Sequence, residues 1–161
     1  MTLSDKNLRE KEFHNRLQSN TKGRFENIFY KAIFNAWEDF YSFLNINARN
    51  SEILDYGCGV GPVIEKVIRY NPKKITGIDI SDISISKAKE KFINSGSKVE
   101  LFVDNCESTT FSNDKFDIVY GLGILHHLQF SKCINEISRI LKPGGTLLFI
   151  CLLYTSPSPR D

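Results

Sequence analysis

Between Ser51 and Ile150 short apolar runs alternate with segments of helical periodicity, and few folds accept that order. The runs are SEILDYG (Ser51 to Gly57), KITGID (Lys74 to Asp79), KVELFV (Lys98 to Val103), FDIVYG (Phe116 to Gly121) and Thr146 to Ile150. Between them, Gly61 to Tyr70 sets Val63, Ile64, Val67 and Ile68 at helical spacing, and Asp82 to Asn94 follows Ser81, a side chain suited to cap it. Phe130 to Leu141 places Ile134, Ile137 and Leu141 on one face, with Ser131 as the expected cap and Pro143-Gly144-Gly145 as the expected stop. Strands joined this way need right-handed crossovers, so the predicted class is α/β: a doubly wound, mostly parallel sheet with helices on both faces. Ligands of such sheets lie beyond the carboxyl ends of the strands, where the strand order reverses.

Upstream, Leu8, Phe13 and Leu17 give residues 4–20 a weak amphipathic pattern. From Arg24 to Asn45 the set Phe25, Phe29, Ile33, Trp37, Phe40 and Leu44 follows the 3.6-residue period, and Tyr30, Phe34 and Tyr41 widen its face. That stripe reads first as packing against the sheet and second as a roof over a ligand. The expected division is a helical segment at 1–23, a core at 24–150 and a distinct tail at 151–161.

Composition narrows the partner. At 161 residues with 41% hydrophobic side chains the chain suits one globular domain, and 21 Lys plus Arg against 19 Asp plus Glu leave a net charge of only +2. Neither nucleic acid nor a membrane is expected as partner; a small molecule is. Cys58, Cys106, Cys133 and Cys151 show no CxxC spacing, which predicts reduced thiols and no metal site. A charged N-terminus and the lack of any apolar run near the roughly 18 residues of a membrane span predict a cytoplasmic protein. Oligomeric state is left open.

The first run ends in Asp55-Tyr56-Gly57-Cys58-Gly59-Val60-Gly61-Pro62 and passes directly into a helix. Glycines there permit positive φ and let a ligand approach the backbone. A dinucleotide fingerprint would read GxGxxG, but Pro62 stands at its third glycine, and no Lys-Ser/Thr pair follows to make a phosphate loop. Asp79 closes the second run, where a carboxylate can accept from both hydroxyls of a ribose. Asp104 follows the third and could accept from an exocyclic amine of a base. Three acidic residues, Asp55, Asp79 and Asp104, thus fall at the ends of three successive strands.

Five segments in order, ILDYGCGVG, GIDIS, VDNCE, FDIVYGLGILHHL and RILKPGGTLLF, resemble the class I S-adenosylmethionine-dependent methyltransferase family, in its small-molecule branch. The resemblance spans Glu10 to Ile150 and implies a Rossmann-like sheet of seven strands in the order 3-2-1-4-5-7-6, of which five can be counted. It implies S-adenosyl-L-methionine as cofactor, held by Asp55, Gly57, Cys58, Gly59 and Gly61 at the first turn and by Asp79 at the ribose. Ile80 would pack on the adenine, Asp104 and Asn105 would meet its edge, and Gly121 and Leu122 would lie near the methionine amino group. CESTTFSND departs from the family's usual segment after the third strand.

The implied activity is methyl transfer to a small-molecule acceptor not identified by the sequence. A relative that binds the cofactor without transferring the methyl group is the alternative, and an NAD-dependent oxidoreductase ranks behind both because of Pro62. Positioned groups suffice for methyl transfer unless the acceptor must lose a proton. His126, His127 and His14 are the candidate bases, although for His126 and His127 packing in the turn and exposure to solvent are the stronger explanation, and His14 would have to return over the pocket from the N-terminal segment. No Asn/Asp-Pro-Pro-Tyr/Phe segment follows the fourth strand, which argues against base or amide amino groups as acceptors.

Residues 151–161, CLLYTSPSPRD, resemble codon for codon a transposase-type sequencing adapter read in frame. The expectation is that natural sequence stops at about Ile150 and that a chain ending there is inactive by itself.

Overall fold

Each apolar run becomes a strand of one parallel sheet. The protein is represented by a computed structural model that describes residues 34–151 together with Leu8 and Glu12. Helix α1 spans Phe34–Asn47, and β1 (Glu52–Tyr56), α2 (Ile64–Val67), β2 (Lys74–Asp79), α3 (Asp82–Lys91) and β3 (Val99–Val103) follow. The chain then continues through β4 (Phe116–Leu122), α4 (Phe130–Ile140) and β5 (Leu141–Ile150). Strand order is β3-β2-β1-β4-β5, every neighbour parallel. The order reverses between β1 and β4, so the doubly wound α/β prediction holds and the expected ligand edge is the carboxyl end of those two strands.

Alternation along β1 divides the core. Ile53 faces a cluster with Phe40 and Leu44 of α1, Ile64 and Val67 of α2, and Ile85 and Ala88 of α3. Leu54 and Tyr56 face the opposite cluster, with Cys133, Ile137 and Ile140 of α4 and with Phe111 and Phe116. A sheet buried on both faces needs near-continuous apolar strands, as ILDY and IVY supply. At the amino ends Lys142 bonds Asp117 at 2.9 Å and Lys73 bonds Glu52 at 2.9 Å, which gathers the charges on the edge away from the reversal point. Among the described residues no helix is long and apolar enough to cross a membrane.

Several expectations need correction. The helix expected over Gly61 to Tyr70 is one α turn, Ile64–Val67, continued by a tighter turn at Ile68–Tyr70. The expected Asp82 to Asn94 helix ends at Lys91, and Ser81 does cap it, its hydroxyl accepting from the Ser84 N–H at 3.1 Å. Ser131 is no cap: α4 begins at Phe130, and the preceding Gln129 N–H is taken by the Glu107 carboxylate at 2.8 Å. Nor does Pro-Gly-Gly stop that helix. It ends at Ile140, and the chain is already in β5 at Leu141, with a register shift opposite Phe116 and Ile118 that accommodates the extra residues. His14, all of the 4–20 pattern but Leu8 and Glu12, residues 24–33 of the Arg24–Asn45 pattern and residues 152–161 lie outside the described residues, whereas the remainder of the aromatic stripe, from Phe34 on, forms α1.

Candidate cofactor site

The turn after β1 is tied to β2 by backbone bonds. The N–H groups of Gly57 and Cys58 both donate to the Ile78 carbonyl, at 2.9 and 2.8 Å. Gly57 has φ +80°, and a Cβ there would stand 2.8 Å from Ile124 Cγ1, so both backbone and packing require glycine. Gly59, at φ +55°, differs in kind. A Cβ on it would meet nothing within 4 Å, so its open side faces space that another molecule can occupy.

Asp79 is fastened beside that opening. One carboxylate oxygen accepts the Gly59 N–H at 2.9 Å and the other accepts the Ser81 N–H at 2.9 Å. The carboxylate is half-buried, and each oxygen retains a second lone pair for a ligand. Ile80, also half-buried, follows directly.

Asp55 sits beneath the turn and is almost wholly buried. Its register partner on β4 is Tyr120, whose hydroxyl donates to Asp55 Oδ2 at 3.0 Å. Burial foremost pushes the Asp55 carboxyl up to about 8; the Tyr120 bond works against this and the Asp79 charge adds to it. Tyr41 on α1 is pushed up to about 12 by burial and by Asp55. Burial also raises the Cys58 thiol well above its ordinary value, which keeps it an unreactive packing group. Sequence reasoning does not single out Tyr120, although a hydroxyl within the apolar FDIVYG strand is a signal of a buried partner.

Asp104 serves its own loop. Oδ1 accepts from the Asn105 N–H at 2.8 Å, and Oδ2 accepts from the Thr110 N–H and hydroxyl, both at 3.0 Å. Asn105 accepts the Glu107 N–H at 2.9 Å. The loop is then fastened to α4, where Glu136 accepts from the Thr109 N–H at 2.8 Å and Arg139 Nη1 donates to the Phe111 carbonyl at 2.7 Å and to Asn113 Oδ1 at 2.9 Å. Arg139 also bonds Glu136 itself, at 3.0 Å through Nε. The anchors from α4 to Thr109, Phe111 and Asn113 join residues 26 to 28 positions apart and leave no periodicity to read.

At the carboxyl end of β4, Gly121 is explained by crowding: a Cβ would lie 2.5 Å from Phe149 Cε1 and 2.9 Å from the Tyr56 carbonyl oxygen. Leu122 packs against the α1 face of the core. His126 and His127 occupy one tight turn, Leu125–His127, with ring centroids 3.9 Å apart; His126 is exposed and His127 half-buried. The structure thus gathers Asp55, the glycine turn, Asp79 and Ile80 at the ends of β1 and β2, and Gly121 and Leu122 at the end of the adjacent β4. Asp104 and Asn105 follow β3 on the other side of β2.

This edge fits an S-adenosylmethionine-like group: an open backbone at Gly59, a carboxylate fixed beside it for hydroxyls, and buried Asp55 nearby for positive charge. Comparison with known proteins agrees. The family profile described as "Methyltransferase domain" matches residues 53–145. The chain is 30% identical over 117 residues to the sterol 4-C-methyltransferase strm-1 of Caenorhabditis elegans, covering 71% of this chain and 35% of that protein. It is 32% identical over 112 residues to the tRNA U34 carboxymethyltransferase of Nautilia profundicola, covering 68% and 37%. The crystal structure of the [4+2]-cyclase SpnF superposes with a TM-score of 0.63 at 28% identity, covering 70% of this chain and 43% of that one. The chain therefore spans less than half the length of each of these relatives.

Proposed function

This chain belongs to the class I S-adenosylmethionine-dependent methyltransferase family, and we propose that it directs a methyl group from that cofactor to a small-molecule acceptor. One observation carries the reading. The opening at Gly59 lies beside a carboxylate, Asp79, that the fold holds in place through the Gly59 N–H itself. Asp79 accepts from the ribose hydroxyls, the turn from Gly57 through Cys58 to Gly61 lies along the methionine and ribose, and Asp55 contributes negative charge beneath them. Ile80 packs on the adenine, Asp104 and Asn105 flank its edge, and Gly121 and Leu122 border the methionine end.

When bound, the cofactor supplies an electrophilic methyl group on a positively charged sulfur. What the protein adds is alignment: a rigid turn and two strand ends that keep reacting atoms in line and water out. A base is required only for an acceptor that must shed a proton, and His127 and His126 are the described candidates for that task. Trp37 and Tyr41 of α1, with ring centroids 5.9 Å apart and Tyr41 close enough to Asp55 to feel its charge, support an apolar or aromatic acceptor on that side. The small net charge supports a small molecule over a nucleic acid, although one relative is named for its action on tRNA.

The likeness to a cyclase supports a second reading, in which the cofactor site is kept and methyl transfer is not. Turnover by these 161 residues alone is expected to be lost, because the described sheet has five strands where the family resemblance implies seven. Transfer of a labelled methyl group from S-adenosylmethionine is therefore assayed with this chain and with the gene product of the source locus. Metabolite and RNA fractions are offered separately. Label in a small metabolite is expected; label in RNA overturns the acceptor class, and cofactor binding without transfer by either protein favours the second reading.

A further inference from the structure

The side-chain hydrogen bond that Asp55 accepts comes from a neutral hydroxyl, and the charge that acts on it is that of another carboxylate, Asp79. From β4 the Tyr120 hydroxyl donates to it at 3.0 Å; Cys58 lies in the turn above, the Asp79 carboxylate stands at the end of β2, and Tyr41 approaches from α1. Lys66 of α2 places its ammonium 4.5 Å from the centre of the Tyr41 ring. Tyr120 itself is fully buried, and Phe40 of α1 meets its ring edge-on with centroids 5.5 Å apart. The hydroxyl is thereby aimed at one carboxyl oxygen by the sheet register below and an aromatic wall beside it.

We propose that Tyr120 is a positioning residue for the cofactor, holding Asp55 so that this carboxyl releases its proton when the positively charged cofactor arrives. The inference rests on the cofactor reading above. Without the cofactor's charge, burial and the like charge of Asp79 favour the neutral acid. A sulfonium and an ammonium brought to the same edge favour the carboxylate. The Asp55 O–H bond then breaks and its proton passes to the buffer, while Tyr120 keeps its own proton and donates it to a stronger acceptor. Losing that donor leaves a buried carboxylate short of one hydrogen bond at the moment it must be charged.

Calorimetric titration with S-adenosylmethionine, in two buffers of different ionisation enthalpy, measures the proton directly. Close to one proton released per cofactor is expected for the wild type at pH 7, with affinity rising about tenfold per pH unit between pH 6 and pH 8. Tyr120→Phe is expected to bind roughly tenfold more weakly at pH 7. Binding without proton release, or with no pH dependence in that window, overturns the inference. Carbon-13 NMR titration of the Asp55 carboxyl in the ligand-free chain is the second measurement. Its midpoint is expected to move upward in Tyr120→Phe, and an unmoved midpoint refutes the positioning role. If the wild type binds no S-adenosylmethionine, the cofactor reading itself fails, a result distinct from binding that is merely independent of pH.

Discussion

Replacing Asp55 by Asn tests the electrostatics of the buried edge without the cofactor. In the native chain this carboxyl is held up to about 8 by burial, whereas in the unfolded chain it titrates near its ordinary 3.8. Between those values the native state carries a proton that the unfolded state has lost, so stability falls as pH rises, by about 1.4 kcal/mol per pH unit. The penalty reaches about 4 kcal/mol by pH 7 and levels off above the native value. Asn cannot ionise, and its carbonyl oxygen still accepts from Tyr120, so the variant lacks this slope. Its extra N–H groups shift stability by a pH-independent amount, which makes the slope the informative quantity. Glu52, Asp117 and Glu136, all held below their usual range, destabilise the fold as pH falls, but equally in both proteins. Urea denaturation at pH 5, 6 and 7 should show the variant gaining roughly 3 kcal/mol on the wild type across the series. Parallel stability curves would refute the assignment of Asp55 as a buried, neutral acid.

Three other outcomes follow from the same geometry. Asp79→Ala should weaken S-adenosylmethionine binding by about 1.5–3 kcal/mol in a calorimetric titration, the worth of charged hydrogen bonds to two hydroxyls, and an unchanged affinity would remove Asp79 from the site. Gly57→Ala forces a Cβ into the left-handed region and to 2.8 Å from Ile124, so chemical denaturation should report a loss of about 2–4 kcal/mol. Arg139→Ala unfastens the loop after β3 from α4 and should cost about 2 kcal/mol, with faster amide exchange at Thr109; exchange at the wild-type rate would argue against that anchor.

Strands were the most legible part of the fold because each is a buried apolar run with polar or glycine boundaries. Lys74 to Asp79 reads from the sequence with the boundaries it has in the structure, and Ser81 reads as the cap it proves to be. Helix ends were less legible where tertiary bonds replace local signals. Glu107 takes the Gln129 N–H from a distant loop, so α4 starts ahead of Ser131 with no local cap to mark it. Pro143-Gly144-Gly145 looks like a terminator, yet the pairing of Leu141 with Phe116 draws the chain into the sheet before the proline is reached. At the site, the glycine turn and the acid at the end of β2 are visible because their spacing is local. The Tyr120–Asp55 pair depends on which strands become neighbours, and the reversal of strand order between β1 and β4 decides that.

The central claim is that the β1–β2 edge is built for S-adenosylmethionine and not for a dinucleotide. Equilibrium dialysis of the chain against labelled S-adenosylmethionine, with NAD as the competing ligand, tests it most directly. Saturable binding of one cofactor per chain, undisturbed by excess NAD and lost or strongly weakened in Asp79→Ala, is the predicted result. Displacement by NAD at comparable concentration, or equal binding by Asp79→Ala, would contradict it.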